Sequence, residues 1–183
     1  MSTQSGIRNL SDLFCALDEC SFSVECTTKV LERVEFGVEE LEGYLNFEIG
    51  SYTRNLLHSA PAYEVLAICW GVGHHTPIHD HQGQEGWIRV LQGEVVESLY
   101  KVSMQEQSGF EYEELEHRLV KLNEVSHVND EEAFHSIRNS VPGKTVTLHV
   151  YSKPIPWCYI YNTKTGNRQK KVMKNFTEFG KRL

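Results

Sequence analysis

Apolar positions in the first quarter of the chain recur at helical spacing, first at Leu13, Phe14 and Leu17 and then at Val30, Leu31 and Val34. Ser11 stands where a capping hydroxyl would open the first segment, so the pattern predicts a helix starting there and helical texture to about Asn46. Over Val38 to Leu45 the acidic Glu39, Glu40 and Glu42 alternate with Leu41 and Leu45, which predicts a second helix with one wet side and one side against a sheet. After Asn46 the texture changes to short runs rich in β-branched and aromatic residues: YEVLAICW, GWIRVLQGEVVESLYKV, the Leu119 to Leu122 patch, VTLHVYS and WCYIYN. A polar, acidic stretch between Gln105 and Glu116 holds Ser108-Gly109 and predicts a hairpin loop. Short strands divided by glycine turns suggest a sandwich or barrel, because strand closure removes exposed edges. With no internal repeat and no linker, the expectation is a single, mainly β domain in which residues 1–48 form an α-helical cap on a small jelly-roll-like barrel, residues 49–183.

The 183 residues are 40% apolar, enough for one sizeable core. Eighteen Lys and Arg against 25 Asp and Glu give a net charge of −7, which argues against a nucleic-acid partner, since that affinity comes from clustered cations on phosphates. No stretch reaches the roughly 20 apolar residues that span a bilayer, and MSTQSGIRNLSDLF lacks the blocks of a secretory signal, so the expectation is a cytoplasmic protein without membrane contact. The five cysteines, Cys15, Cys20, Cys26, Cys69 and Cys158, are odd in number and include no CxxC pair, which predicts reduced thiols.

His79 and His81 lie two residues apart beside a strand-like run. On a strand such positions share a face, about 6.6 Å apart, with Asp80 aimed the other way. His135, opening the short β-like segment FHSIRN, is the candidate for a third inward imidazole, completing one triangular face of a metal. The run from Gly73 has five residues before His79-x-His81 and closes at Gly93, and the later run places Asn139 three residues beyond His135. Together these spacings resemble the two motifs of the cupin superfamily. A glutamate that usually completes the cupin ligand set falls on Gly86, which has no side chain, or with a one-residue shift on Glu85. The favoured ligand set is three neutral histidines, with Glu85 on the other face.

Further residues are similar to the cysteine dioxygenase (thiol dioxygenase) family: SYTRN at 51–55, CWG at 69–71, IHDH at 78–81, LQG at 91–93, HSIRN at 135–139, LHVYS at 148–152 and TG at 165–166. The resemblance implies one Fe(II) per chain held by His79, His81 and His135, and oxidation of L-cysteine by O2 to cysteine sulfinic acid. Three neutral imidazoles leave the metal's charge undiluted and three coordination positions open, which suits a thiolate. Arg54 resembles the family's carboxylate-binding arginine, whose planar fork matches a carboxylate, and Tyr52 lines the same pocket.

Thr147, His149 and Tyr151 lie at i, i+2 and i+4 of VTLHVY and share one strand face. Their side chains can satisfy one another in sequence, and the family has a Ser-His-Tyr row here. Tyr151 is then expected to donate a hydrogen bond to oxygen or to the substrate carboxylate, with His149 orienting it. In the animal branch a cysteine at the place of Gly86 becomes joined to the tyrosine ring; a glycine cannot, as in the branch that resembles bacterial enzymes. His58, His74, His75, His117 and His127 are expected at the surface, Cys158 near the pocket entrance and Cys69 in the core. The alternatives are a dioxygenase of another small thiol such as 3-mercaptopropionate, a non-catalytic metal- or small-molecule-binding cupin, and a zinc hydrolase, which lacks an evident general base. A monomer is expected.

Overall fold

The computed structural model describes residues 5–105 and 109–183. Two helices, α1 Leu10–Asp18 and α2 Val24–Glu32, precede a single 3-10 turn at Val38–Leu41. The strands follow as β1 Thr53–Ala60, β2 Tyr63–Trp70, β3 Ile78–His79, β4 Gly86–Gln92, β5 Val95–Gln105, β6 Gly109–Val120 and β7 Val125–Val128. Then come β8 Phe134–Asn139, β9 Thr145–Tyr151, β10 Trp157–Asn162, β11 Asn167–Val172, β12 Thr177–Glu178 and β13 Lys181–Arg182. They form two sheets, ordered β13-β12-β1-β2-β9-β4-β7 and β11-β10-β3-β8-β5-β6. The fold is mainly β and of the cupin kind, with two N-terminal helices.

The central strands of the first sheet are buried on both faces. Its outward residues Val65, Ala67, Trp87, Val146, Leu148 and Val150 pack with Leu13, Leu17 and Leu31 of the helices. Its inward residues Leu66, Ile68, Trp70, Ile88 and Val90 meet Val95, Val120 and Ile137 of the second sheet inside the barrel. This explains why YEVLAICW is a continuous apolar run without alternation: helices cover one face and the barrel interior the other. Polar anchors cross the helix–sheet boundary. Arg89 donates to the Val34 carbonyl at 2.7 Å and the Asn123 carbonyl at 2.8 Å, Trp87 Nε1 donates to Thr28 Oγ1 at 3.2 Å, and the Tyr63 hydroxyl donates to Asp18 at 2.9 Å.

The helical segment departs from its sequence pattern in three ways. Asn9, not Ser11, caps α1: its extended backbone brings the side-chain carbonyl to Asp12 N at 2.8 Å, while Ser11 already lies inside the first turn. The stretch from Val38 to Leu45 is not a helix but a 3-10 turn, preceded by Gly37 and followed by a hydrogen-bonded turn over Glu42 to Tyr44, so too few residues remain to propagate one. The cysteines are not all reduced, since Cys20 and Cys26 are joined, with Cα atoms 6.0 Å apart. Six residues of turn and first helical turn return the chain to within bridging reach, a spacing that motif counting does not register.

The acidic stretch that reads as loop is also strand. β6 runs through Glu111, Glu113, Glu114 and Glu116 at the edge of the second sheet, paired on one side with β5 in register from Val95↔Val120 to Gln105↔Gly109. Of the expected Ser108-Gly109 loop, Ser108 lies outside the described residues; Gly109 has a positive φ of 90° that favours glycine.

Leu31 is fully buried between helix and sheet. Leu31→Ala is expected to destabilise the fold by about 2–5 kcal/mol, read as a lower urea midpoint. An unchanged midpoint would mean that the helices add nothing to the barrel's stability.

Candidate metal centre

The three histidines expected from the sequence converge. β3 pairs antiparallel with β8 so that His79 stands directly opposite His135. His81 follows just beyond β3, and its backbone turns sharply through Gln82 (φ 56°) and Gly83 (φ 72°). Asp130 holds this turn by accepting from His81 N at 2.7 Å and Gly83 N at 2.6 Å. One ligand atom from each ring lies within 4.8 Å of the other two. Ring centroids are separated by 5.2 Å for His79 and His81, 4.6 Å for His79 and His135, and 4.7 Å for His81 and His135.

Hydrogen bonds behind the rings decide what the convergent atoms are. His135 Nδ1 donates to Glu97 Oε1 at 2.7 Å. Burial would push the Glu97 carboxyl up, but His135, Arg118 and Ser126 outweigh it and hold its pKa at about 2, so this group only accepts. His79 Nδ1 donates to the Pro77 carbonyl at 3.0 Å, which also only accepts. Burial, reinforced by His135 and His81, keeps His79 well below the ordinary 6.5, and burial lowers His135 as well, so both rings are neutral. Each therefore turns an unprotonated Nε2 inward, and the two lone pairs face each other at 3.2 Å with no proton to share. That contact is repulsive unless a cation sits between them. The buried His81 turns Nδ1 to within 3.4 Å of Asp130 Oδ1, too poorly aligned for a good hydrogen bond, and its Nε2 has no partner. The donor set fits a metal that accepts imidazole nitrogen.

A narrow cavity opens on the centre, bordered by Tyr52, Arg54, His79, His149, Tyr151 and Cys158. Arg54, 7% exposed on β1, lies 3.6 Å from the equally buried Glu64, and its Nε has no partner. Tyr52 packs against Trp70 with ring centroids 4.9 Å apart. On β9 the polar row faces inward: Thr147 Oγ1 lies 2.8 Å from His149 Nε2, and His149 Nδ1 lies 3.2 Å from the Tyr151 hydroxyl. Burial holds His149 well below 6.5 and pushes Tyr151 up to about 12, so one stays neutral and the other stays a phenol.

Glu85 is turned away from the centre, with Oε2 accepting from His127 Nε2 at 2.6 Å. His127 is thus half-buried and paired rather than a surface residue, and His58, also expected outside, is wedged between Phe14 and Tyr63 at 4.6 and 4.9 Å. Motif reading missed Glu97, Asp130, Glu64 and Trp70. A signal for Glu97 was present: it is an acid between Val95 and Leu99 on the inward face of an alternating strand, where burial demands a partner.

The cysteine dioxygenase type I family model matches residues 2–164. Cysteine dioxygenase type 1 of Bos taurus is 30% identical, with 94% of this chain and 88% of that protein covered. The Homo sapiens protein of the same name is 31% identical, with 95% and 86% covered. Among solved structures, a Thermus thermophilus protein, TT1209, aligns with a TM-score of 0.50 at 18% identity over 65% of this chain and 100% of that one, a likeness of fold alone.

Replacing Glu97 by Gln should weaken metal binding by about 10- to 100-fold in a competition titration, because the amide is uncharged and can turn its NH2 toward Nδ1, so that His135 loses the acceptor-only partner that fixes its tautomer. Equal affinity would take Glu97 out of the site. For the metal-free chain, His79 and His149 stay neutral in the fold, whereas an unfolded chain protonates them below about 6.5. Their folded-state pKa values are depressed, so stability is greatest above that pH and falls as the medium acidifies through the folded values. Urea midpoints between about pH 8 and pH 5 should decline accordingly, and a midpoint that rises on acidification would contradict it.

Proposed function

The chain belongs to the cysteine dioxygenase type I family, and on that premise we propose that it oxidises L-cysteine with O2 to cysteine sulfinic acid. The observation that carries this reading is the pair of unprotonated Nε2 atoms of His79 and His135 at 3.2 Å, with His81 beside them. Ferrous iron would be held by these three residues and, when bound, supplies the redox chemistry by which a thiol plus O2 becomes a sulfinic acid carrying both oxygen atoms. The ligands bring no charge of their own, but Glu97 and Asp130 stand behind two of them, so the site is less purely cationic than its ligand list suggests.

The remaining residues orient the substrate. Arg54 offers a buried cation with an unpartnered Nε–H, which suits a small carboxylate, and its pairing with Glu64 keeps the side chain in place when no substrate is present. Tyr52 borders the same cavity and limits its width. Tyr151 stays protonated and can donate to a bound acceptor, held by His149 and Thr147. A Cβ added at Gly86 would stand 3.4 Å from Tyr151 Cε1, so the position is adjacent to the ring but carries no thiol. Tyr151 therefore works as an unmodified phenol, which fits the branch resembling bacterial enzymes. The helices and barrel act as one domain, supported by the apolar cluster they share.

Iron-loaded protein given L-cysteine under air should consume O2 and form sulfinate in equal amounts. Arg54→Ala should raise KM for cysteine by roughly 10- to 100-fold, the worth of one to two charge-assisted hydrogen bonds, without loss of iron. Faster turnover of 3-mercaptopropionate would reassign the substrate, and no O2 uptake would leave a metal-binding cupin without this activity.

A further inference from the structure

The direction of the hydrogen bonds along β9 is set at the end away from the cavity. Trp70 Nε1 lies 2.8 Å from Thr147 Oγ1, and an indole N–H can only donate. Thr147 Oγ1 accepts that proton and has one of its own, for which His149 Nε2 lies at 2.8 Å. His149 Nε2 is then the unprotonated nitrogen of a neutral ring. Its Nδ1 carries the hydrogen and donates to the Tyr151 oxygen at 3.2 Å. In this order Tyr151 receives a hydrogen bond from the row and keeps its own O–H for the cavity. In the reverse order Tyr151 would give its proton to His149 and offer the cavity only lone pairs.

We infer that Trp70 is a positioning residue which, through Thr147 and His149, holds Tyr151 as a hydrogen-bond donor toward the metal centre. Trp70 is suited to this because it is fully buried, sits on the inward face of β2 and is braced by the Tyr52 ring. It lies across the strand pair from the row, since β2 and β9 are paired with Ile68 opposite Thr147 and Trp70 opposite Thr145. The proposed function supplies the reason a donor is useful there; the proton order itself follows from the four side chains, and Arg54, which also hydrogen-bonds Tyr151, can only donate to its oxygen and so leaves that order unchanged.

The test is nitrogen NMR of the full chain labelled with 15N-histidine and loaded with zinc, with His149 assigned by comparison with His149→Gln. The expected spectrum has a protonated Nδ1 and a bare Nε2 at His149, and a protonated Nε2 in the unsubstituted chain overturns the inference. Trp70→Phe and Thr147→Val should each produce a mixture of the two tautomers, whereas Thr147→Ser, which keeps the hydroxyl, should retain the original one. A pure Nδ1–H ring in both Trp70→Phe and Thr147→Val would show that neither residue sets the order and would also overturn it. The readout needs neither substrate nor turnover, so failure of the cysteine assignment and failure of this inference are seen in different experiments.

Discussion

The hydrogen bond from His135 Nδ1 to Glu97 is the constraint on which the centre depends. It fixes the tautomer of a buried ring and so turns a bare nitrogen toward His79, whose own tautomer is fixed by the Pro77 carbonyl. Two neutral rings arranged in this way repel each other, and the barrel holds them in place by the pairing of β3 with β8. The repulsion is a cost in the metal-free fold that a cation converts into binding energy. Glu97 has to be ionised to play this part, and Arg118 and Ser126 supply the compensation without which a fully buried carboxylate would take up a proton.

A second requirement is that the strands carrying the site be rigid. β2, β4 and β9 are covered on their outer face by α1 and α2 and on their inner face by the second sheet, so their polar inward residues are set among side chains with little freedom. Glu64, Arg54, Thr147, His149 and Tyr151 are all buried within this frame. Buried polar groups in such numbers are tolerated because most have partners, and the Arg54 Nε is among the few atoms that lack one. Arg89 makes the same kind of tie on the outer face, joining the chain after α2 to the turn before β7.

The strands with the strongest apolar runs, β2, β9 and β10, were legible in the sequence, and so was the i, i+2, i+4 polar row on β9. The convergence of the histidines was legible because strand periodicity and motif spacing pointed the same way. Elements governed by tertiary contacts were not. β6 has the composition of a loop and becomes a strand through its long pairing with β5, and Val38 to Leu45 has the composition of a helix but is cut short between Gly37 and Gly43. The residues that act on the histidines from behind were invisible to motif counting because Glu97 and Asp130 lie far from them along the chain and meet them only through sheet register and a long loop. The Cys20–Cys26 link was missed for a related reason: it depends on how tightly one turn brings two helices together.

The composition of β6 has a consequence for how copies of the molecule meet. A strand paired on one side leaves backbone donors and acceptors open on the other, which invites a second strand to extend the sheet. Here such an approach would bring the Glu113 to Glu116 segments of two molecules side by side, acid against acid. The carboxylates that disguise this strand as a loop thus discourage the sheet from growing by fusion with its own kind.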